Sequence, residues 1–482
     1  MLFNSFEFLT FYLIVVGVYF ALADRHRWKL LLAASLWFYM SWRPEYVVLL
    51  LVTTAINFGC GLAIERTEQP AARKRWLVLG IAASLSLLFT FKYLDFVSDS
   101  TEALLRAFTL DVDLPVFQLL LPLGISFYTF QAIGYTVDVY RRRVPAERHF
   151  GIFALYVSFF PQLVAGPIER SSNLLPQFRK TMRFDPADVA TGLREILWGL
   201  VKKVVIADQI SIVVDTVYEA PGDYASAYLI FATALFAVQI YCDFSGYSDM
   251  AIGTARIMGY RLMENFRRPY FSTTIGDFWR RWHISLMSWF RAYVYLSLGG
   301  FRMSRTQAMR GIMVVFLLSG IWHGANWTFV VWGLVHGVAS VLSAQTTEWR
   351  RRAARWTRLD RLPVLHVGFQ RLVVLTTVVL AFVFFRAQSL DEALAIFERI
   401  FLWQPGELRT LWLLGLGRVE MAMALLAVAT LFLVEWAMER DLEIARVGWS
   451  RRPLRWACYT AEVYAVIFLG AWGGVEFIYF QF

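Results

Sequence analysis

Charge is scarce in this chain. Only 17% of its 482 residues are Asp, Glu, Lys or Arg, whereas 58% are hydrophobic. Soluble domains carry nearer a quarter charged residues, so the composition reads as an integral membrane protein. Cysteine is scarcer still. Cys60, Cys242 and Cys458 stand far apart, each in or beside an apolar run. That spacing supports neither a disulfide framework nor a metal site, which leaves packing as the default role. There is no G-x-S-x-G elbow, no Walker loop, no paired CxxC and no HExxH. The first eight residues hold no Lys or Arg, and the first basic group, Arg25 to Lys29, follows the first apolar run. No cleavable signal peptide is therefore expected. No repeat, low-complexity tract or soluble domain is apparent.

What is abundant fits a bilayer. Nineteen tryptophans and 21 tyrosines suit belts at the lipid–water interface. The net charge of +10 would suggest nucleic acid in a soluble chain, but the basic residues sit in loops between apolar runs, as orientation signals do. No nucleic-acid partner is expected. Apolar runs cover Phe8–Ala23, Leu30–Trp42, Val47–Ile64, Leu77–Phe91 and Leu114–Val137. The basic loop Glu65–Trp76 and the triplet Arg141 to Arg143 read as cytoplasmic, and the acidic loop between Asp95 and Asp113 as external. The N-terminus is thus expected outside.

The middle of the chain is less regular. Ile152–Ile168 is apolar but contains Pro161, Gly166 and Pro167, which fits either a broken, re-entrant helix or a proline kink. Asp185-Pro186-Ala-Asp188 is a helix start, and the helix is predicted to run to Tyr218. Its charges at Asp188, Glu195, Lys202, Asp208 and Asp215 recur about every seven residues, which predicts one polar stripe at an interface or a hydrated cavity. Ala225–Cys242 and Gly311–Thr347 are uncharged, and the latter is long enough for one span plus a second element. Arginines at 350, 351, 352, 355, 358 and 361 then give the strongest cytoplasmic signal. Leu372–Phe385, Met421–Val434 and Val463–Val475 are later spans, with the basic loop Arg440–Arg455 cytoplasmic and the C-terminus outside. The fold class is all-α: a polytopic membrane helical bundle of roughly ten to twelve membrane segments, some re-entrant or interfacial. It forms a single domain over residues 1–482.

Candidate chemistry rests on histidine. His26, His149 and His366 lie in basic loop contexts and read as solvated. His323 lies in Ser319-Gly-Ile-Trp-His-Gly-Ala-Asn-Trp, inside an uncharged run. Gly320, Gly324 and Ala325 would let a backbone or substrate approach closely, Trp322 and Trp327 could wall a pocket, and Asn326 can donate or accept a hydrogen bond. A low-dielectric site would keep the imidazole neutral and able to take a proton from a hydroxyl. The alternative is a buried histidine bonding a carbonyl. His283, in Trp279-Arg-Arg-Trp-His, could orient a substrate or donate to a carbonyl as charge develops there. Arg280 and Arg281 could anchor an interface or bind donor phosphates. His336 lies 13 residues after His323. On one helix that is a turn of roughly 220°, so the two would face different sides, and His336 reads as a packing residue. Asp243 and Asp249 follow an uncharged span and mark a functional region.

Several tracts carry a resemblance. Phe127-Tyr-Thr-Phe-Gln, Phe160-Pro-Gln-Leu-Val-Ala-Gly-Pro-Ile, Asp243-Phe-Ser-Gly-Tyr-Ser-Asp, Asn265-Phe-Arg-Arg-Pro-Tyr, Phe278-Trp-Arg-Arg-Trp-His and Gly320-Ile-Trp-His-Gly occur in order. Together they resemble the membrane-bound O-acyltransferase superfamily, in particular its bacterial branch of alginate O-acetylases and D-alanyl-lipoteichoic-acid transferases. Core motifs span about 120–345, and the ending Phe477-Ile-Tyr-Phe-Gln-Phe is similar to the acetylase side. The resemblance implies that His323 is the active-site histidine and His283 the second polar position. It also implies a tunnel through a thinned membrane centre, and a periplasmic partner of the SGNH-hydrolase-like type that completes transfer to polysaccharide.

The expectation is therefore a multi-pass acyltransferase of the bacterial inner membrane, in contact with lipid. It would export acetyl groups for O-acetylation of a polysaccharide such as alginate, the acceptor being met indirectly. His323 and His283 would be catalytic, with Trp279, Arg280, Trp322, Asn326 and Asp243 at the substrate. The donor would be acetyl-CoA or another acyl thioester, with no bound cofactor and no metal. D-alanyl or peptidoglycan O-acyl transfer is the nearest alternative. A non-enzymatic polysaccharide-export transporter is the other, for which Asp243, Asp249 and the striped helix could form an ion path.

Overall fold

The computed structural model describes residues 1–405, 414–442, 452–472 and 477–478, the side chain of Phe301 excepted. All regular structure among these residues is helical. The α-helices, in order, are α1 Phe6–Ala21, α2 Asp24–Met40, α3 Val47–Arg66, α4 Pro70–Lys92, α5 Leu94–Ala107, α6 Ile125–Tyr140, α7 Phe150–Ser158, α8 Ser171–Leu174, α9 Pro186–Leu200 and α10 Asp208–Glu219. Then follow α11 Ser226–Ile257, α12 Ile275–Arg281, α13 Ile284–Tyr293, α14 Arg305–His323, α15 Trp327–Gln345, α16 Thr347–Trp356, α17 Pro363–Arg386, α18 Leu390–Phe401, α19 Arg418–Glu439 and α20 Arg452–Leu469. Among the described residues, six helices are long and apolar enough to cross a membrane: Pro44–Arg66, Pro70–Lys92, Ser226–Ile257, Trp327–Gln345, Pro363–Arg386 and Arg418–Glu439. α1 is as apolar but has only 16 residues. Large hydrophobic side chains stand exposed along it, among them Phe6, Leu13 and Ile14, as they do along α17 and α19. Such surface suits lipid, not water.

Two compact units emerge. One comprises Met1–Ile196 with Ser248–Glu264, the other Leu197–Tyr247 with Asn265–Phe482. In the first, α3, α4 and α6 are tied by a buried polar network: Asn57 Nδ2 donates to Ser84 Oγ (2.8 Å) and Thr136 Oγ1 donates to Asn57 Oδ1 (2.7 Å). The predicted span Leu114–Val137 shortens, because the helix starts only at Ile125. Pro115 and Pro122 precede it, and Gly124 takes a left-handed φ of 72°. The Ile152–Ile168 tract is not a kink. α7 ends at Ser158, and regular helix resumes only at Ser171. The buried backbone at and after the helix end finds side-chain partners: Tyr156 O, in the last turn of α7, accepts from Gln131 Nε2 and from Gln162 Nε2 (3.0 Å), and Tyr156 OH donates to Glu169 O (3.0 Å). Irregular chain at this depth requires such compensation.

The helix start at Pro186 is as the sequence predicts, with Asp185 Oδ1 accepting from Ala187 N (2.8 Å). The helical path runs unbroken to Glu219, close to the predicted Tyr218, but it does not carry one regular stripe. Residues Val201–Ala207 form a π-helix between α9 and α10. The wide turn shifts register, so an even seven-residue spacing no longer gives one face. Each stripe residue instead meets a polar partner inside its own unit. In the first, Asp188 pairs with Arg261 and Glu195 with Arg256. In the second, Lys202 Nζ reaches Ser245 Oγ (3.1 Å), Asp208 meets Lys203 (2.8 Å) and Asp215 meets Arg386 (2.8 Å). One carbonyl of the π-turn, Val204 O, accepts from Ala471 N (2.9 Å) and so holds the segment after α20.

Candidate functional site

The second unit contains both candidate histidines with Trp279, Arg280, Trp322, Asn326 and Asp243, whereas Asp249 belongs to the first. The uncharged run after Gly311 folds as two helices, in keeping with the span and second element it has room for. α14 opens with a capping box at Ser304 and Gln307 and ends on His323. Gly324 and Asn326 are extended, with φ −159° and −148°, and α15 starts at Trp327. Asn326 caps it, its Oδ1 accepting from Thr328 N (3.0 Å). α14 and α15 lie against each other at their glycines. A Cβ on Gly320 would overlap the Phe329 carbonyl and sit 3.2 Å from Gly333 Cα, and one on Gly324 would overlap the Phe329 ring. The close approach that these glycines permit is thus by α15. His323 is buried at the helix end between Trp322 (ring centres 5.0 Å apart), Trp332 (5.0 Å) and Phe385 (5.3 Å).

His283 faces His323, with ring centres 6.4 Å apart. It joins α12 to α13 in a left-handed conformation (φ 45°), uncommon for a residue with a side chain, and its ring is fully buried. Asn265 explains both features. Asn265 O accepts from Ile284 N (2.9 Å), while its Oδ1 accepts from Ser285 N (3.3 Å) and Ser285 Oγ (2.9 Å), so one distant residue caps α13. The Ser285 N–H identifies that atom as the amide oxygen. It lies 3.1 Å from His283 Nδ1. An oxygen can only accept there, so Nδ1 carries the proton and Nε2 carries the lone pair. Burial pushes the His283 pKa down to about 3, so the ring is neutral. In this tautomer Nε2 is an acceptor, which suits orienting a substrate, one of the two roles the sequence allows.

Around the pair, Trp322 lies 5.8 Å from His283. Trp279, on α12, contacts Phe316 (5.2 Å) and Trp332 (5.8 Å). Arg280 is exposed and pairs with Asp277 (3.3 Å). Asn326 Nδ2 donates to Gln388 O (2.8 Å), so both ends of its amide are engaged. Asp243 is buried in α11 against Lys203 (2.6 Å) and accepts from Ile478 N (2.8 Å). It touches the histidines only through neighbours: Phe244 packs edge-on to His283 (4.6 Å) and meets Phe477 (5.7 Å). Among the described residues no group of His, Cys, Asp or Glu could hold a metal ion.

Two residues escape a reading of the sequence. Asn265 lies in one of the tracts that carry the resemblance, but no spacing rule predicts that it meets His283 across a loop. His336 is the other. The 220° argument assumes a continuous helix, and the break at Gly324–Asn326 removes that premise. His336 lies 4.8 Å from Trp332, the ring that also packs on His323.

This constellation can be set beside known proteins. The profile of the membrane-bound O-acyltransferase family matches residues 149–385. A relative from Pseudomonas putida, "Probable alginate O-acetylase AlgI", is 36% identical over the full length of both chains. The chain belongs to the membrane-bound O-acyltransferase family. A Pseudomonas aeruginosa protein of the same name is 38% identical over 89% of this chain and 81% of its own. The "Peptidoglycan O-acetyltransferase" of Helicobacter pylori is 36% identical over 76% of this chain and 72% of its own. The protein is thus an enzyme, a membrane O-acyltransferase, and His283, His323 and His336 all fall inside the matched family region.

Proposed function

We propose that the protein moves an acetyl group from a cytoplasmic thioester, acetyl-CoA or another acyl thioester, across the bacterial inner membrane for O-acetylation of a periplasmic or secreted polysaccharide, alginate in first place. The observation that carries this reading is the pair of buried imidazoles 6.4 Å apart. A substrate hydroxyl can lie within hydrogen-bond reach, about 3 Å, of His323 with His283 beside it. His323 acts as general base. It takes the proton of the acceptor hydroxyl as the oxygen attacks the thioester carbonyl. The tetrahedral intermediate then expels the thiolate, which takes that proton from His323. The C–O bond forms, the C–S bond breaks, and no net proton is gained or lost. The hydroxyl's one proton goes to His323, so His283, with its lone pair on Nε2, assists by accepting a hydrogen bond from another donor of the bound substrates and so orients them. Trp279 and Trp322 wall the site. Exposed Arg280 suits donor phosphates, while Asn326 and Asp243, already engaged, hold the frame. A periplasmic SGNH-hydrolase-like acetyltransferase receives the acetyl group and passes it to the polymer.

The test is the ester-linked acetyl content of secreted polysaccharide from a deletion strain, complemented with wild type or His323→Ala at matched membrane levels. A relay of this kind is worth about 10²–10⁴-fold in rate, so the variant should restore almost none. Equal restoration by both would remove His323 from the chemistry. The Helicobacter relative gives a second acceptor, peptidoglycan. Acetyl recovered on purified sacculi, and absent from secreted polymer, would select it.

A further inference from the structure

The mechanism above leaves His336 unused. It lies at mid-height in α15 and is fully buried. Neither of its ring nitrogens has a hydrogen-bond partner among the described residues. A neutral imidazole carries one N–H and one lone pair, and burying both unmatched is costly. Its neighbours repeat the pattern. Trp279 stands edge-on at 4.9 Å and Trp332 at 4.8 Å, and their indole N–H groups likewise have no partner among the described residues. The same holds for Ser319 Oγ, one turn before His323 on α14, and Ser340 Oγ, one turn after His336 on α15. α12 and α15 thus bring two unmatched indole donors and an unmatched imidazole into mutual ring contact, with further unmatched hydroxyls on α14 and α15. Buried polar groups in native proteins are nearly always matched, so this concentration points to a polar ligand.

Its place in the fold narrows the ligand. α15 runs from Trp327, beside His323, to Gln345, where the arginine-rich α16 follows. His336 is nine residues from each end, about 14 Å along the axis. The Trp332 ring packs against both it and His323. A group reaching His323 from the arginine-rich end would pass His336 first. The chemistry fits an amide: its C=O can accept from the indole N–H groups, its N–H can donate to the imidazole lone pair, and aromatic rings suit its methylenes.

We propose that His336, with Trp279 and Trp332, binds the amide-bearing pantetheine arm of the acyl thioester donor on the α16 side of the catalytic pair. This rests on the thioester reading of the reaction. The arm is common to coenzyme A and to a phosphopantetheinylated carrier protein, and His336 serves either.

The test compares donors on the purified, detergent-solubilised full-length enzyme: acetyl-CoA, acetyl carried on a phosphopantetheinylated carrier protein, and a short acetyl thioester without amides. His336→Phe should raise KM for an amide-bearing donor by about 5- to 150-fold and leave kcat within about threefold. KM for the short thioester should not change. His336→Gln keeps a donor and an acceptor and should recover most of the affinity. The wild type's preference between the first two donors identifies the source. Equal KM changes for donors with and without amides, or none for either, would overturn the assignment. If no thioester donates acetyl at all, the thioester reading fails separately. Equilibrium binding of a non-reactive S-alkyl pantetheine then decides the site: weaker binding to His336→Phe than to wild type upholds it, and equal or no binding refutes it. A matched thermal melt of each variant guards against misfolding.

Discussion

Asn265 offers the sharpest test of how the site is held. Its one amide oxygen accepts from His283 Nδ1, Ser285 N and Ser285 Oγ. Asn265→Ala removes all three bonds. The Ser285 hydroxyl can turn elsewhere, but the two N–H donors are fixed by ring and backbone. Each unmatched buried donor costs about 1–3 kcal/mol. Because the two shared one acceptor, their costs do not add fully, and about 2–4 kcal/mol is the expected loss of stability. The tautomer of His283 also comes free. Losing a bond worth about 1.4 kcal/mol lets the ring present either nitrogen, for a roughly tenfold fall in transfer beyond any loss of protein. Asn265→Asp separates the two effects. It keeps an acceptor, so it should melt close to wild type, but its carboxylate favours imidazolium and raises the His283 pKa from about 3. A raised pKa means that Nε2 becomes protonated as pH falls through the new value. Transfer by Asn265→Asp should therefore decline with acidification over a range where the wild type stays flat. The assays are detergent melting and acetyl transfer from pH 5 to 8. Wild-type rates in Asn265→Ala, or parallel pH profiles for wild type and Asn265→Asp, would refute the positioning role and the assigned tautomer.

Two further variants probe the frame. Lys203→Met strands Asp208 and Asp243, both buried and both bonded to that lysine, and should cost about 3–5 kcal/mol, seen as a collapse of membrane levels. The triple change with Asp208→Asn and Asp243→Asn should restore those levels, and failure to do so would show that the charge itself is needed. Gly320→Val forces side-chain atoms into the Phe329 carbonyl, with an overpacking cost of about 1–3 kcal/mol and a displaced His323. Transfer should fall more than protein level does, and an unchanged rate per molecule would show that α14 and α15 can part without consequence.

Much of the scaffold is legible in the sequence because lipid imposes long uncharged runs. Val47–Ile64 and Leu77–Phe91 fall within α3 and α4, and Asp185-Pro186 marks the start of α9. What is not legible is where helices stop at depth. The π-turn at Val201–Ala207 holds no Pro or Gly to announce it, and its Lys202 and Lys203 find their partners, Ser245 and Asp243, in another helix. The break after Ser158 holds because side chains satisfy the freed Tyr156 carbonyl, and no local rule encodes those partners.

The histidines show the same limit at the site itself. His323 and His283 stand out in sequence through their glycine and tryptophan neighbours, yet neither their separation nor their tautomers can be read there. Asn265 sets the tautomer of His283 from 18 residues away, and the break after His323 brings a third histidine to the ring that packs against it. A continuous helix from Gly311 to Thr347 would have turned His336 away from His323. Gly324 and Asn326, small and able to cap, make two helices of one run. The same short break therefore ends α14 on His323, starts α15, and sets the order His323, Trp332, His336, α16 along the chain. Reclosing it as helix should abolish transfer while leaving both candidate imidazoles in the sequence.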